Sequence, residues 1–370
     1  MMFWLVTGCA VATCAYHLVA LGAALRQFLR RTEVATNPGP VSILKAVRGL
    51  DPGFHEAIRS HALQDYAPGF ELLFGVTDPA DPSLVEIERL KAEFPAARIE
   101  WFLVGRQAPN GKVAALVEIA KHARHPIWLV NDSDIAVEPG YLQEVTAPLA
   151  VPEIGVVTCL YRARAGTWAG RWEALGIAVD FAAGVLVAPL VGVKEFGLGA
   201  TLVFRAQDLK AIGGFEALEN YLADDYQLAR HITQLGKRVE LSRTVVETTL
   251  GEDTWHGIWK HQVRWARTIR VSRGDGYWGL PVTHAGVWMV LCLAGGWPAL
   301  ALAIALVRWA SAYATGVLVL KSPVARSGWP LAPLWDCFAF GVWVAGASFN
   351  TVEWRGQRLI LKPDGTMKAK

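Results

Sequence analysis

Two long apolar regions near the ends of the chain constrain its fold most strongly. Phe3 to Leu25 carries no charged side chain, and the region from Val287 to Phe349 holds long runs with very few charges. About 20 consecutive apolar residues in a helix are enough to cross the hydrocarbon core of a bilayer. The residues between the two regions have an ordinary soluble composition. The sequence therefore predicts that this protein of 370 residues is anchored in a membrane at both ends.

Basic residues beside the first apolar segment predict its orientation. Arg26, Arg30 and Arg31 follow it directly, and positive residues next to a span favour the cytoplasmic side. A cleaved signal peptide is the alternative interpretation. The apolar run is longer than that of a signal peptide, however, and no basic segment precedes it.

The C-terminal apolar region is predicted to contain two spans and one re-entrant or interfacial piece. A break is expected at Gly295 to Pro298, and a separate apolar segment runs from Leu331 to Phe349. Arg355, Arg358 and Lys362 predict a cytoplasmic tail after it. An even number of crossings is therefore expected between the central domain and this tail.

Short apolar runs alternate with amphipathic ones in the central part of the chain. Strands are predicted at VSILK, FELLFGV, IEWFLV and IWLV, with helices between them. This alternation predicts an α/β fold with a mostly parallel sheet covered on both faces. The apolar stretch from Trp168 to Val193 is predicted to be either a core helix or an interfacial one. The predicted domains are an anchor over 1–31, a catalytic domain over 40–273, a membrane region over 282–350 and a basic tail over 351–370.

Polar side chains follow three of the predicted strands. Lys45 closes the first, Asp78 comes after FELLFGVT, and Asp132 and Asp134 come directly after IWLV. Each residue taken singly is typical of a loop, but ligands of open α/β sheets bind beyond the carboxyl ends of the strands. The four residues together therefore predict a ligand site at this edge.

The Asp132-Ser133-Asp134 motif places two like charges one residue apart. Such charges repel each other and lose hydration when they are enclosed, unless a positive group offsets them. Mg²⁺ or Mn²⁺ prefers carboxylate oxygens and keeps positions open for the phosphates of a nucleotide. The motif therefore predicts a divalent metal site, with a solvated turn as the alternative.

The basic residues are clustered, although the net charge is only +3. That charge does not indicate a nucleic-acid partner. Arg264, Arg267, Arg270 and Arg273 recur every three residues. This basic stripe is predicted to face anionic headgroups or phosphates.

The ordered set of motifs VSILKAVRG, VTDPADPS, NDSDIAV, ADDYQLAR and HQVRW resembles the membrane-bound ceramide glucosyltransferases and the related bacterial hopanoid-biosynthesis glycosyltransferases. The resemblance runs from about Pro40 to Arg270. It implies a GT-A nucleotide-sugar-binding fold, a Rossmann-like mixed sheet, with N- and C-terminal transmembrane helices. It also implies inverting transfer of one sugar, of the glucose or N-acetylglucosamine type, from a UDP-sugar to a lipid hydroxyl. The expected cofactor is Mg²⁺ or Mn²⁺, and the expected location is the bacterial inner membrane with the catalytic domain in the cytoplasm.

The resemblance assigns roles to five residues of the central domain. Asp78 is expected near the nucleotide base or ribose, and Lys112 near the donor sugar nucleotide. Asp132 is the first carboxylate of the metal motif, and Asp134 is the second, at a position where some family members lack an acid. Asp225 matches the catalytic base of the inverting enzymes. The structural alternative for Asp225 is a helix N-cap, and that for Lys112 is a surface lysine.

The last motif of the family is Gln or Arg, two further residues, then Arg-Trp. Arg264 and Trp265 match it and are expected to bind the nucleotide sugar, whereas His261 takes the first position and departs from the pattern. Asp224, next to the expected base, is a candidate for the N-cap or for a second acidic group. The alternative role for Trp265 is that of an anchor at the membrane interface.

Two other functions are compatible with these motifs. A processive polysaccharide synthase shares the aspartates and the Arg-Trp pair, but few spans are predicted from which to build a channel. A non-catalytic membrane scaffold on a transferase fold would have lost an acid or Arg264, and neither is lost.

Overall fold

The computed structural model describes residues 2–30, 39–251, 254–354 and 357–369. Arg31 and Arg355, on which part of the predicted orientation depends, lie outside these residues. The chain divides into two compact units. The helical unit comprises Met1–Arg30, Arg162–Gly192 and Leu250–Lys370, and the α/β unit comprises Arg31–Tyr161 and Val193–Thr249.

The helices, in chain order, are α1 (Met2–Leu29), α2 (Phe54–Ala62), α3 (Ser83–Glu93), α4 (Gly111–Ala120), α5 (Tyr141–Thr146), α6 (Trp168–Gly176), α7 (Ala182–Val187), α8 (Ala206–Ala211), α9 (Asp224–Gln234), α10 (Trp255–Ser272), α11 (Gly274–Gly279), α12 (Ala285–Ala294), α13 (Pro298–Tyr313), α14 (Pro323–Gly328) and α15 (Ala332–Gly346). The strands are β1 (Val41–Val47), β2 (Phe70–Val76), β3 (Arg98–Leu103), β4 (Ile127–Val130), β5 (Ile154–Arg164), β6 (Leu202–Arg205), β7 (Arg238–Thr249), β8 (Thr351–Trp354), β9 (Gln357–Leu361) and β10 (Met367–Ala369).

A seven-stranded mixed sheet forms the centre of the α/β unit. Its strand order is β3-β2-β1-β4-β6-β5-β7. The first four strands in this order are parallel, and β6 runs antiparallel to β4 and to β5. The predicted mostly parallel α/β sheet is therefore confirmed.

Alternating side chains of the strands pack on the two faces of this sheet. Ile43 of β1 belongs to a buried cluster with Phe54 and Ile58 of α2. The next residue, Leu44, belongs to a second buried cluster, with Leu116 of α4 and others. Successive side chains of a strand point to opposite faces, so a strand with helices on both sides is apolar throughout. This arrangement leaves the carboxyl ends of β1, β2 and β4 at one edge, where loops carry the polar residues.

The helical unit contains the apolar segments of the chain. Within the residues that the structure describes, three helical segments are long and apolar enough to cross a membrane, namely Val6–Leu29, Trp168–Val191 and Pro298–Val319. A bent pair, Gly274–Thr283 and Ala285–Ala294, meets the same criterion if it is counted as one span. The N-terminal span and the break before Pro298 agree with the sequence prediction.

The rest of the predicted C-terminal partition differs from the structure. The segment expected from Leu331 to Phe349 forms α15, which is too short to count as a span by the same criterion. Within the described residues of the tail, β8, β9 and β10 form a three-stranded antiparallel sheet. Arg162–Gly192 and Leu250–Arg273 pack with the terminal helices, whereas the predicted catalytic domain over 40–273 included both segments.

Candidate active site

The metal motif begins immediately after β4, in a loop that is held at several points. The amide of Asp132 donates to the carbonyl of Gly199 at 3.2 Å. The Ser133 hydroxyl donates to the carboxylate of Asp51 at 2.7 Å. The Asp132 side chain is nevertheless 47% exposed. The loop is therefore anchored through its backbone and Ser133, and it leaves the Asp132 carboxylate accessible to a ligand.

Lys112 and two aspartates form a charged cluster beside this loop. The Lys112 ammonium lies 2.7 Å from Asp132 Oδ1 and 3.5 Å from Asp224 Oδ2. Asn110 caps α4 by accepting from the amides of Lys112 and Val113, which fixes the helix start from which the lysine extends. Burial alone would lower the pKa of Lys112, but Asp132 and Asp224 outweigh it and raise the pKa above its ordinary value. Lys112 is therefore a permanently charged site residue rather than a surface lysine.

Asp225 lies in the first turn of α9 and is held by two backbone donors. Its carboxylate accepts from the amide of Gly199 at 2.9 Å and from the amide of Tyr226 at 2.7 Å. Burial, followed by repulsion from Asp224, raises the pKa of Asp225 to about 6. A carboxylate with a pKa near the working pH is suited to act as a general base.

The alternative roles of the two aspartates as helix caps are not supported by the geometry. The N-cap position of α9 is Ala223, and no side chain caps this helix. Asp224 instead accepts from the Asn110 amide at 3.4 Å and lies close to Lys112. Asp224 therefore contributes to the charged cluster and does not serve as the cap that the sequence analysis considered.

Gly199 is the residue around which the cluster is arranged, and it was not among the site residues predicted from the sequence. A Cβ added at this position would lie 3.1 Å from Asp132 Oδ2 and 3.6 Å from both Asp225 Oδ2 and Lys112 Nζ. The absence of a side chain keeps this space open between the charged groups. Gly-x-Gly shortly before a strand, in GLGATLVF, is a sequence signal for a close approach of the backbone.

Asp134 is more enclosed than Asp132. Its carboxylate accepts a hydrogen bond from the Thr248 hydroxyl. Burial, then the nearby charge of Asp132, raises the pKa of Asp134 to about 6. A bound cation would relieve this, because it favours the ionised form of both carboxylates.

The donor set fits a divalent cation held partly by substrate. Among the residues that the structure describes, no group of three His, Cys, Asp or Glu side chains is arranged to hold a metal. The two carboxylates of the motif are hard oxygen donors, and Mg²⁺ commonly binds through one or two carboxylates plus substrate phosphates. The site therefore offers a metal two carboxylates and leaves its other coordination positions to the substrate, and it does not enclose the metal in protein ligands.

Lys45 lies within β1 and not at its end. Its side chain is 0% exposed, and its ammonium donates to Asn131 Oδ1 at 2.6 Å and to the Asp132 carbonyl at 3.1 Å. Burial lowers the pKa of Lys45 to about 7, although Asp134 and Asp132 partly oppose this. Lys45 therefore stabilises the metal-motif loop through Asn131 and the backbone of Asp132. Its direct contact with a nucleotide sugar remains a prediction.

Asp78 is exposed two residues beyond β2, at the same edge of the sheet. Its carboxylate accepts from the amide of Ala80 at 2.8 Å, which fixes the start of the loop. This position is compatible with the predicted contact to a base or ribose.

The final motif lies on α10 in the helical unit. The Glu173 carboxylate oxygen Oε1 accepts from His261 Nδ1 at 2.6 Å and from the Gln262 side-chain amide at 2.8 Å. Glu173 is 1% exposed. Trp265 packs edge-on against the His261 ring, with 4.7 Å between ring centroids. Glu173 thus orients the motif helix, a role for which the sequence contained no recognisable signal.

The predicted basic stripe does not act as one surface. Arg267 donates to the carbonyl of Thr351 at 2.6 Å, and Arg270 donates to the carbonyl of Phe349 at 2.7 Å. These two arginines join α10 to the start of the C-terminal sheet. The prediction that the whole stripe faces phosphates or headgroups is wrong for these two arginines. Residues spaced three apart do not stay on one face of a helix that has 3.6 residues per turn.

The conserved profile of glycosyl transferase family 21 matches residues 3–367, nearly the full chain. The chain belongs to glycosyl transferase family 21. The predicted resemblance to ceramide glucosyltransferases is therefore confirmed.

Two named relatives of this family 21 chain are ceramide glucosyltransferases. Ceramide glucosyltransferase 1 of Caenorhabditis elegans is 26% identical over 243 residues, which cover 64% of this chain and 51% of that protein. Ceramide glucosyltransferase 3 of the same organism is 23% identical over 254 residues, which cover 64% and 52%. The family 21 chain thus spans about half the length of these relatives.

The family 21 fold is similar to that of the mannosyltransferase PcManGT from Pyrobaculum calidifontis, solved in complex with GDP-Man and Mn²⁺. The TM-score is 0.54 at 17% identity, and the likeness covers 92% of this chain and 97% of that chain. At this identity the likeness shows the fold alone. The predicted GT-A fold is confirmed.

Proposed function

We propose that this family 21 protein is a metal-dependent inverting glycosyltransferase that moves one sugar, of the glucose or N-acetylglucosamine type, from a UDP-sugar to a hydroxyl of a membrane lipid such as ceramide or a hopanoid. The observation that carries the proposal is the open space at Gly199, which Asp132, Lys112 and Asp225 surround. It combines a carboxylate for a metal, a fixed cation and a candidate base within a few ångströms.

The residues of the α/β unit divide the proposed chemistry between them. Asp225 takes the proton of the attacking lipid hydroxyl, because it is the carboxylate with the raised pKa at the open space. Lys112 holds negative charge that develops on the leaving diphosphate. Asp132 and Asp134 would hold Mg²⁺ or Mn²⁺, which supplies Lewis-acid stabilisation of that diphosphate when bound. Asp78 contacts the nucleoside.

The motif on α10 carries two further residues that the family resemblance assigns to the donor. Arg264 provides a second cation for the diphosphate, and Trp265 an aromatic face for the nucleotide sugar. His261 has the position that Gln or Arg takes in the family, and its Nδ1 lies 2.6 Å from the buried Glu173 carboxylate. This chain thus retains a hydrogen-bonding group at that position.

A lipid acceptor is supported by the apolar helices and by the names of the relatives. Three helical segments have the length and composition of membrane spans, and two relatives are named ceramide glucosyltransferases. An acceptor that stays in the bilayer needs an enzyme that is held there too. The same reasoning disfavours a soluble acceptor.

The direct test is incubation of the purified full chain with radiolabelled UDP-glucose or UDP-N-acetylglucosamine and ceramide, a hopanoid or diacylglycerol. One labelled lipid carrying a single sugar is expected, and Asp225→Asn serves as the inactive control. A polymeric product would instead indicate a processive synthase. Transfer only from GDP-mannose would contradict the proposed donor, and no product from any pair would favour a scaffold.

We also propose that the enzyme lies in the bacterial inner membrane with its α/β unit in the cytoplasm. Arg26 in the last turn of α1 and Arg30 directly after this helix support this orientation. A phosphatase or fluorescent reporter fused after Lys370 should report a cytoplasmic C-terminus. Activity of a reporter that works only outside the cell would show an odd number of crossings after the α/β unit.

A further inference from the structure

A buried chain of hydrogen bonds in the α/β unit ends at the metal motif. Its members, in order, are His61 of α2, Asn131 directly after β4, and Lys45 of β1. His61 and Lys45 are 0% exposed, and Asn131 is 1% exposed. The chain begins at the Ala57 carbonyl and ends at the carbonyl of Asp132, the first carboxylate residue of the motif. A buried polar network in which each group has its partner makes the residues that it joins rigid.

The hydrogen-bond partners of the His61 imidazole fix where its proton lies. Nδ1 is 2.9 Å from the Ala57 carbonyl oxygen, which only accepts, so Nδ1 carries the proton. Burial, and then the charge of Lys45, lower the pKa of His61 well below its ordinary value, so the ring is neutral. In a neutral ring that is protonated at Nδ1, Nε2 is an acceptor, and it lies 2.8 Å from Asn131 Nδ2. His61 therefore accepts a hydrogen bond from the Asn131 side-chain amide.

This contact orients the Asn131 amide. Because its nitrogen is directed at His61, its oxygen Oδ1 faces Lys45 and accepts from the ammonium at 2.6 Å. The same ammonium donates to the Asp132 carbonyl at 3.1 Å. A reversed amide would direct its NH₂ group at the ammonium and leave buried donors without an acceptor, which is costly. His61 thus fixes Asn131 and, through Lys45, the backbone of Asp132.

The His61 ring is itself held in place by its surroundings. It lies on the buried face of α2 together with Phe54 and Ile58. The Tyr141 ring packs against it edge-on, with 6.0 Å between ring centroids. The Tyr141 hydroxyl lies 2.9 Å from Thr201 Oγ1, which in turn fixes the tyrosine. A ring that is held in this way sets the position of its partner and does not adapt to it.

We propose that His61 is a positioning residue of the metal site, which acts through Asn131 and Lys45 to hold the Asp132 carboxylate where it binds the metal. The proposal rests on the proposed metal-dependent function of the Asp132-Ser133-Asp134 motif. Groups that orient a metal ligand from behind commonly contribute about 10- to 100-fold to metal affinity. Because His61 has no exposed surface, its effect reaches the metal only through its neighbours.

His61→Asn and His61→Gln form a matched pair of substitutions. The asparagine amide nitrogen takes the place of Nδ1 and still donates to the Ala57 carbonyl, but no acceptor remains for Asn131. The longer glutamine brings its carbonyl oxygen to the place of Nε2 and still accepts from Asn131. The Mn²⁺ affinity of the purified full chain with UDP, measured from the electron paramagnetic resonance of free Mn²⁺, should fall about tenfold in His61→Asn. It should stay close to the wild-type value in His61→Gln, and UDP affinity without metal should change in neither.

Gln64→Met is the control for a loss of stability alone. Gln64 lies three residues after His61, donates to the Glu138 carbonyl at 2.9 Å and accepts from the Leu142 amide at 2.9 Å. It therefore joins the end of α2 to residues beyond the metal motif and not to the motif itself. Its substitution should lower the melting temperature and leave the Mn²⁺ affinity unchanged.

Asn131→Leu tests whether His61 acts through Asn131, because leucine keeps the shape of the side chain and removes the middle of the chain of hydrogen bonds. The Mn²⁺ affinity should fall at least as much as in His61→Asn. Adding His61→Asn to Asn131→Leu should cause no further loss, since residues of one network are not additive. Asn131→Leu also provides the comparison with the wild type if His61→Asn does not fold.

Three results would overturn the positioning role of His61. The first is a wild-type Mn²⁺ affinity in His61→Asn or in Asn131→Leu. The second is an equal loss in His61→Asn and His61→Gln, which would assign the effect to the packing of the ring. The third is a loss of Mn²⁺ affinity in Gln64→Met as large as that in His61→Asn. If the wild type itself binds no Mn²⁺ in the presence of UDP, the proposed metal-dependent function fails, and the role of His61 fails with it.

Discussion

Replacing Asp225 with asparagine is expected to lower the rate of lipid glycosylation by about 10²- to 10⁴-fold, the usual contribution of a positioned general base. The carboxylate sits at the open space of Gly199 and accepts from the Gly199 and Tyr226 amides. An asparagine keeps the shape but does not take the proton of the acceptor hydroxyl. UDP-sugar affinity, measured by calorimetry, should survive. One of these backbone amides then faces the NH₂ group of the asparagine and not an oxygen. The melting temperature is therefore measured as well, to separate a loss of stability from a loss of catalysis.

Asp224→Asn is the matched control for this variant, since it makes the same chemical change one residue earlier. Asp224 contacts Lys112 and Asn110 and is expected to affect turnover far less. Near-normal turnover of Asp225→Asn would refute its role as the base. In that case Asp224 and His261 would be tested next, each by its own substitution.

The pH dependence of the wild type tests the same assignment. Burial and Asp224 raise the pKa of Asp225 to about 6, and only the ionised form accepts a proton. The value of kcat/KM should therefore fall as the pH decreases through about 6. The residual activity of Asp225→Asn should lack this acidic limb. An unchanged acidic limb in the variant would assign it to another group.

Removal of divalent metal is expected to abolish transfer, and added Mn²⁺ or Mg²⁺ to restore it. Asp132 and Asp134 bring two carboxylates to the edge of the sheet beside the Lys112 ammonium. A diphosphate adds further negative charge there, so a metal is needed to neutralise the site. Asp132→Asn should lower the affinity for UDP-sugar in the presence of Mn²⁺ by about tenfold or more, the loss of one charge-assisted contact. Nucleotide titration with and without Mn²⁺ measures this.

Asp51→Asn is the control for the metal prediction. Asp51 is a carboxylate in contact with the same loop, through Ser133, but it is not a proposed ligand. Its substitution should leave the response to Mn²⁺ intact, even if it lowers stability. Full transfer activity in excess EDTA would remove the metal role of Asp132 and Asp134.

Local patterns in the sequence were sufficient for the strands and for the acids that follow them. FELLFGV and IWLV are short apolar runs that end in polar residues, and such runs form buried strands whichever partners they find. The local patterns did not reveal the environment of Lys45. In the sequence, a lysine that ends a strand cannot be distinguished from a lysine that is buried beneath a loop. They also did not separate Arg267 and Arg270, which bind backbone carbonyls, from Arg264.

The sequence by itself determined the α/β alternation, the apolar segments, the family motifs and the residues Asp132, Lys112 and Asp225 as candidates. The alternation and the apolar segments follow from periodicity and composition, which are properties of neighbouring residues, whereas the roles of Lys112 and Asp225 follow from the resemblance of the motifs to a known family. The tertiary structure alone decided that Gly199 keeps the space between those three side chains open and that Glu173 holds His261. Each of these contacts joins residues that are distant in the chain, and their side chains carry no local signal of the partner, because hydrogen bonds and close packing depend on distances that only the folded backbone sets.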